Sequence, residues 1–238
     1  QDNLEKVFND TSYAVKGKDG KTMQGAMTVM DYEGHVKGLV GEIGEKTNNR
    51  GFNRATDAVR QPGSTMKPIA AYAPAIEQDI INYSSIVNDS AVNYNGWTPV
   101  NWYKSYWGNI TVQYALERSV NTIPVFLVNK LGAQASFDFL TQKLGVTTLT
   151  SEDVNLSPLG MGGTNGGLYY KPVLYTKVLN QRDEVVLSNS SEPSMAVSED
   201  TATVMNHLLR NVVYGAHGTG TAAAGYIPNM KIYAKTGT

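Results

Sequence analysis

The spacing of apolar residues changes period along this chain, and that requires helices and hairpins within one fold. Between Ala26 and Met30 the pattern alternates, Asp31-Tyr32-Glu33-Gly34 supplies a turn, and residues 35–40 return, so residues 24–40 read as two antiparallel strands. From Ser64 onward, Met66, Ile69, Ala73, Ile76 and Ile80 recur at three- and four-residue steps, the buried stripe of a helix. Pro74 lies inside that stripe and is expected to kink or loosen it.

Further elements follow from the same reasoning. Residues 83–108 hold all three tryptophans, Trp97, Trp102 and Trp107, among turn residues and read as a structured loop. Helices are expected over 111–118 and 122–131, broken at Ser119-Val120-Asn121, with Pro124 in the first turn of the second and Gly132 after its last. A shorter helix is expected over 135–144. A second hairpin is expected over 173–179 and 184–187, turning around Gln181-Arg182-Asp183. A long helix should start at Ser198, carry Val204, Leu208 and Val212 inward and stop at Gly215, and an alternating edge strand should occupy 230–236. Residues 1–23 are polar and charged and read as a linker arm, leaving 24–238 as one domain.

Composition excludes several kinds of function. Twenty basic against 21 acidic residues leave a formal charge of −1, so no electrostatic attraction to nucleic acid or a membrane surface is expected. The chain has no cysteine, which removes disulfides, thiolate metal sites and thiol catalysis, and only His35, His207 and His217 could serve as imidazole bases. No apolar run reaches transmembrane length, and residues 1–30 lack a signal-peptide core, so any export signal or anchor is expected outside this sequence.

The chemistry then rests on hydroxyls and lysines. Ser64-Thr65-Met66-Lys67 puts a serine at a helix start and a lysine three residues on, on one face and one turn apart. A neutral lysine amine can accept the serine proton, and helix-terminal amides stabilise negative charge there, which gives a nucleophile and base without histidine. Ser119-Val120-Asn121 at the helix break offers a hydroxyl that can relay a proton and an amide that can bind a substrate amide. Lys235-Thr236-Gly237-Thr238 adds a cation and hydroxyls beside a glycine that leaves room for a ligand backbone. Each motif alone also reads as a helix cap or a solvated strand edge, and it is their joint occurrence that points to a site.

In this order the three motifs resemble the set found in class A β-lactamases and penicillin-binding proteins. Phe52-Asn53-Arg54-Ala55-Thr56 leading into Arg60-Gln61-Pro62-Gly63-Ser64, the upstream hairpin, Ala115-Leu116-Glu117-Arg118-Ser119 and Ala234-Lys235-Thr236-Gly237-Thr238 narrow the resemblance. They are similar to the transpeptidase domain of class A (bifunctional) penicillin-binding proteins of Gram-positive type. The resemblance covers residues 24–238. It implies an α/β (α+β) fold, an antiparallel sheet with helices on both faces plus an all-helical subdomain. The activity implied is a peptidoglycan D,D-transpeptidase, passing the acyl group of the penultimate D-Ala of a stem peptide through a serine ester to an amine on a neighbouring strand. β-Lactams, which mimic the D-Ala-D-Ala end, would acylate the same serine.

Carried onto this sequence, the resemblance implies Ser64 as nucleophile, Lys67 as base, Ser119 as relay toward the leaving amine and Asn121 as a substrate contact. Lys235, Thr236 and Thr238 would bind the terminal carboxylate, and the backbone N–H groups of Ser64 and Thr238 would form the oxyanion hole. It implies no metal or organic cofactor, no nucleic-acid partner, no required role for the histidines, and work at the extracytoplasmic face of the cell membrane on an anchor outside this chain. The family continues past Lys-Thr-Gly into further strands and a C-terminal helix. A partner strand beside 231–236 is therefore expected, from sequence beyond Thr238 or from a second polypeptide. Residues are likewise expected to be missing near Thr164, where relatives carry a helix of the form Pro-Leu-x-Met-x-x-Ala-Tyr. A β-lactamase-type hydrolase and a non-catalytic β-lactam sensor are the alternatives.

Overall fold

A computed structural model describes residues 1–159, 168–227 and 229–237 and divides the chain into two compact units. Gln1–Arg60 and Tyr170–Pro193 make one, and Gln61–Tyr169 with Ser194–Thr238 makes the other. The join around Thr164 lies outside the described residues.

The first unit is built on two hairpins. Met27–Met30 pairs antiparallel with Val36–Val40, and the Asp31 carboxylate closes the turn by accepting from the backbone N–H groups of Glu33 and His35, both at 2.9 Å. Lys177–Leu179 pairs with Val185–Ser188, and there Asn180 Oδ1 does the same work for Arg182 and Glu184. Both hairpins were expected, but the second begins four residues late, because Val173 bridges His35 instead of extending the ladder. Within residues 1–23, expected as an arm, Asp2–Asn9 is helical. Most side chains of the two hairpins are exposed.

The second unit holds the core. Tyr72, Leu116, Ile123, Leu127, Leu140, Met205 and Leu208 are fully buried. Helices Val112–Glu117, Thr122–Leu131 and Glu199–Tyr214 match the expected periods. Thr111 and Ser198 cap two of them by accepting from Tyr114 N–H and Thr201 N–H. The expected loop at 83–108 is flanked by a ladder the sequence conceals: Ile86–Asp89 pairs antiparallel with Gly108–Thr111. Asn88, Asp89, Gly108 and Asn109 have low strand propensity, and Val87 is the buried apolar residue of the first strand.

The Ser64 helix departs most from its expected form. A 3₁₀ turn, Gly63–Thr65, is followed by a π turn, Pro68–Tyr72, and then by α-helix Ala73–Glu77. Pro74 has no N–H for the Ala70 carbonyl four residues back, and the buried Ser136 hydroxyl donates to that carbonyl instead at 2.6 Å. The proline is thereby accommodated without ending the helix. Residues 230–236, expected as an edge strand, pair with no strand among the described residues. The Tyr214 hydroxyl holds their backbone, accepting from Ile232 N–H at 3.1 Å and donating to the Met230 carbonyl at 3.3 Å. Among the described residues no strand lies beside 231–236, where the sequence leads one to expect a partner from beyond Thr238 or from a second polypeptide. Among the described residues no helix is long and apolar enough to cross a membrane.

Candidate active site

Thr65 Oγ donates to the Pro62 carbonyl at 2.7 Å and closes the turn that carries Ser64. Ser64 is half-buried, and among the described residues neither its hydroxyl nor its N–H has a hydrogen-bond partner. Lys67, only 3% exposed, turns its amine away from the turn and toward the helix break at Ser119. Its Nζ lies within hydrogen-bond reach of four oxygens, more than its three protons can serve at once: the Ser119 carbonyl at 2.8 Å, the Val120 carbonyl at 3.2 Å, Ser119 Oγ at 3.3 Å and Asn121 Oδ1 at 2.6 Å. The Ser64–Lys67 hydrogen bond expected from the spacing is not among these contacts. In unliganded sites such bonds often close only when substrate arrives.

Why the break presents so many oxygens follows from its backbone. Ser119 N–H donates to the Leu116 carbonyl at 3.1 Å and Val120 N–H to the Ala115 carbonyl at 2.9 Å, the two bonds of a Schellman ending. Such an ending needs left-handed backbone at the residue after the cap, normally glycine, and Ser119 occupies it at φ 54°. A serine there costs about 1 kcal/mol relative to glycine and brings a hydroxyl to a buried position. That hydroxyl also accepts from Lys235 Nζ at 2.9 Å.

Two cations thus meet one hydroxyl. Burial, with the Lys235 charge nearby, pushes the Lys67 ammonium down to about 7, and burial brings Lys235 to about 8. The Lys235 segment is also fitted against the Ser64 turn: a Cβ on Gly237 would lie 2.5 Å from the Pro62 carbonyl oxygen and 2.9 Å from Thr65 Cγ2. Only glycine permits that approach. Thr236 Oγ donates to Thr219 Oγ at 2.8 Å. Thr238 lies outside the described residues. A cavity of about 190 Å³ opens beside Lys67 and Asn121, with Trp97, Pro99 and Leu159 among its walls.

Residues 25–156 and 164–238 match the penicillin binding protein transpeptidase domain. The chain belongs to that family. Penicillin-binding protein 1A of Streptococcus oralis is 35% identical to it over 262 residues, covering all of this chain and 40% of that protein. Penicillin-binding protein 1A/1B of Bacillus subtilis is 32% identical over 260 residues, again covering the whole chain and 27% of the relative. This chain therefore spans 40% or less of the length of these curated relatives. In fold it is similar to penicillin-binding protein 1A from Haemophilus influenzae, with a TM-score of 0.73 at 20% identity over 94% of this chain and 42% of that one. It is also similar to the D,D-transpeptidase domain of a peptidoglycan glycosyltransferase from Eggerthella lenta, with a TM-score of 0.65 at 24% identity over 90% and 66%. These likenesses bear out the mixed α/β transpeptidase fold and the resemblance to class A penicillin-binding proteins of Gram-positive type.

Within the transpeptidase domain, the structure brings Lys67, Ser119, Asn121 and Lys235 together, sets Gly237 against the Ser64 turn, and leaves Thr236 bonded to Thr219. It also shows residues that sequence reasoning missed. Asp89, fully buried, and Asn101, 2% exposed, lie directly behind the Ser119–Asn121 break. Glu117, also buried, accepts from His217 N–H at 2.7 Å and approaches Gly215 so closely that a Cβ there would lie 2.3 Å from its Oε1. The Arg118 guanidinium lies over Trp102 and Trp107, each at 5.3 Å, while Trp102 Nε1 donates to the Arg118 carbonyl at 3.0 Å. No spacing rule links these residues, because the contacts join segments distant in sequence. The one legible cue was the concentration of tryptophan in 97–107.

Proposed function

We propose that this chain is the acyl-transfer domain of a peptidoglycan D,D-transpeptidase, with residues 24–238 as the catalytic domain and 1–23 as the arm leading into it. The observation that carries the reading is the shared hydroxyl: Ser119 Oγ lies 3.3 Å from Lys67 Nζ and 2.9 Å from Lys235 Nζ. Of the four oxygens around Lys67 Nζ, it is the one that also carries a proton, so it is the one through which a proton can be passed on.

The chemistry follows. Ser64 Oγ attacks the carbonyl of the penultimate D-Ala and gives its proton to Lys67, which near pH 7 is in large part free amine. The tetrahedral oxyanion faces the Ser64 N–H, with the Thr238 N–H as the second donor. Removing one such donor typically costs about two to three orders of magnitude in rate. Lys67 returns the proton through Ser119 to the departing D-Ala nitrogen, and the C–N bond breaks to leave a Ser64 ester. An acceptor amine then attacks the ester, the proton path runs in reverse, and Ser64 is restored. Lys235, mostly protonated at pH 7, and the Thr236 and Thr238 hydroxyls hold the terminal carboxylate, while Asn121 contacts the peptide. Every group in the scheme is a side chain or backbone amide. Penicillins enter the same path and stop at the ester. Stem peptides lie outside the cell membrane, so the domain works on the outer face, held there by an anchor outside residues 1–238.

The test is intact mass after incubation with benzylpenicillin, followed by peptide mapping. One adduct on Ser64, absent from Ser64→Ala, is expected. An adduct on another serine, or rapid turnover of penicillin without accumulation, would sink the reading.

A further inference from the structure

Asp89 is fully buried, yet no cation pairs with it among the described residues. Instead its two oxygens take four neutral donors. Oδ1 accepts from Asn101 Nδ2 at 2.8 Å and Thr122 Oγ1 at 2.6 Å, and Oδ2 accepts from the Tyr103 hydroxyl at 2.6 Å and Trp107 N–H at 2.9 Å. Burial opposes the charge, but the bonds from Thr122, Tyr103, Trp107 and Asn101 outweigh it and hold the carboxyl below its ordinary value.

What this carboxylate fixes is the direction of an amide. Asn101 gives its NH₂ to Asp89 and to the Ser105 carbonyl at 3.1 Å. Its Oδ1 accepts from Asn121 N–H at 2.8 Å and Thr122 N–H at 3.4 Å. Those are free donors at the start of helix Thr122–Leu131, and the helix has no side-chain cap of its own. Asn121 stands at the cap position, but its side chain is committed elsewhere, with Oδ1 on Lys67 Nζ at 2.6 Å and Nδ2 on the Val100 carbonyl at 2.8 Å. The capping work has passed to Asn101, and an amide can cap only with its oxygen forward. Flipped, Asn101 would set NH₂ against two N–H groups. A carboxylate at 89 forbids the flip because it can only accept.

We infer that Asp89 and Asn101 are positioning residues for acyl transfer: the buried carboxylate locks Asn101 as the helix cap and so frees the Asn121 side chain to hold Lys67. An amide at 89 could not do this, since its NH₂ would meet either Trp107 N–H or the Asn101 NH₂. The inference rests on the proposed acyl-transfer reading, and its experiment separates the two.

Penicillin acylation is measured by stopped flow on the full chain, with hydrogen exchange at the Asn121 and Thr122 amides as a readout independent of activity. Asp89→Asn is expected to slow the acylation step about a hundredfold, the cost of a misplacement near 1 Å, with initial non-covalent affinity nearly unchanged. Exchange at the two amides should rise at least about tenfold. Asn101→Asp should be similarly slow, because it sets two carboxylates together. The transposed pair Asp89→Asn with Asn101→Asp restores the donor–acceptor match between 89 and 101 but sets a carboxylate oxygen against the Ser105 carbonyl, so it should recover acylation in part, to at least about tenfold above either single variant. Tyr103→Phe removes one donor but leaves Asn101 locked. It should lower thermal stability and keep the acylation rate within about twofold. The inference is overturned if Asp89→Asn acylates at the parental rate, if the transposed pair stays as slow as its single variants, or if rate falls in step with stability across Tyr103→Phe and Asp89→Asn. If the parent chain itself takes no penicillin, the acyl-transfer reading fails, while amide exchange in the same variants still decides whether Asp89 locks the cap.

Discussion

Among the seven described residues other than glycine with left-handed backbone, Asp183 at φ 61° and Ser119 at φ 54° take nearly the same angle and do opposite things. Asp183 sits on an exposed hairpin turn where Asn180 satisfies its neighbours, and aspartate tolerates that backbone better than most residues. Ser119 is 8% exposed, lies between two lysines and closes a helix ending where glycine is the ordinary choice. Backbone strain alone therefore does not mark a site. Strain becomes informative when it is buried and when the side chain it admits faces groups whose charge is costly to hold.

The strongest way to break this contrast is to remove what the Ser119 turn serves. Lys67→Arg keeps a cation against the same carbonyls but cannot give up its proton, so penicillin acylation should fall by about a thousandfold or more in a folded protein, read as loss of adduct in intact mass. Near-normal acylation would mean that Lys67 is not the base. Next come Ser119→Ala and Ser119→Gly compared with each other. Both lack the relay hydroxyl and should acylate about a hundredfold more slowly. Glycine, relieved of the left-handed strain, should unfold at higher denaturant than alanine by about 1 kcal/mol. Equal stabilities would show that the φ angle costs nothing.

A smaller effect sharpens the electrostatic side of the comparison. Below about 7 the acylation rate should fall up to tenfold per pH unit as Lys67 gains a proton. For substrates bearing a carboxylate it should fall again above about 8, as Lys235 loses its charge. Lys235→Gln should remove the upper limb and move the lower one to higher pH, because the charge that helps burial hold Lys67 down is gone. Smallest of all is Asp183→Gly. It should shift stability by no more than about 1 kcal/mol and leave acylation unchanged, checked by chemical denaturation and the same adduct assay.

How much of this was legible before the structure depends on how local each feature is. The hairpin over 24–40, helix Thr122–Leu131 and the start of the long helix at Ser198 follow from periodicity and from boundary residues close by, the turn at 31–34, Pro124 with Gly132, and Ser198. The site motifs were legible for the same reason, since Ser64 with Lys67 and Ser119 with Asn121 are local pairs. What could not be read was the partner of each. The lysine reaches Ser119 and Asn121 in preference to Ser64, and a serine at 136 answers a proline at 74. The strand at Ile86–Asp89 carries a buried carboxylate whose partners at 101, 103, 107 and 122 no local pattern announces. Over 230–236 alternation alone cannot identify a strand, because a ladder needs a neighbour and none pairs there among the described residues.

The π turn at Pro68–Tyr72 has a further consequence, for insertions and deletions. A turn with one residue more than an α turn takes up that residue with little change of phase between its two ends, whereas in regular α-helix each residue gained or lost turns the ends by about 100°. Ser64 and Lys67 lie upstream of that turn, and Ile76 is anchored in the core downstream. Taking one residue out of the five would let the turn relax to an ordinary α-helix and would still leave a foldable segment. It would keep Ser64 and Lys67 near their present phase, whereas a residue taken from α-helix Ala73–Glu77 would swing them about a quarter turn around the helix axis. Outside the π turn the reactive end and the anchored end are indexed against each other by residue count, so there this helix can exchange side chains far more readily than it can change length.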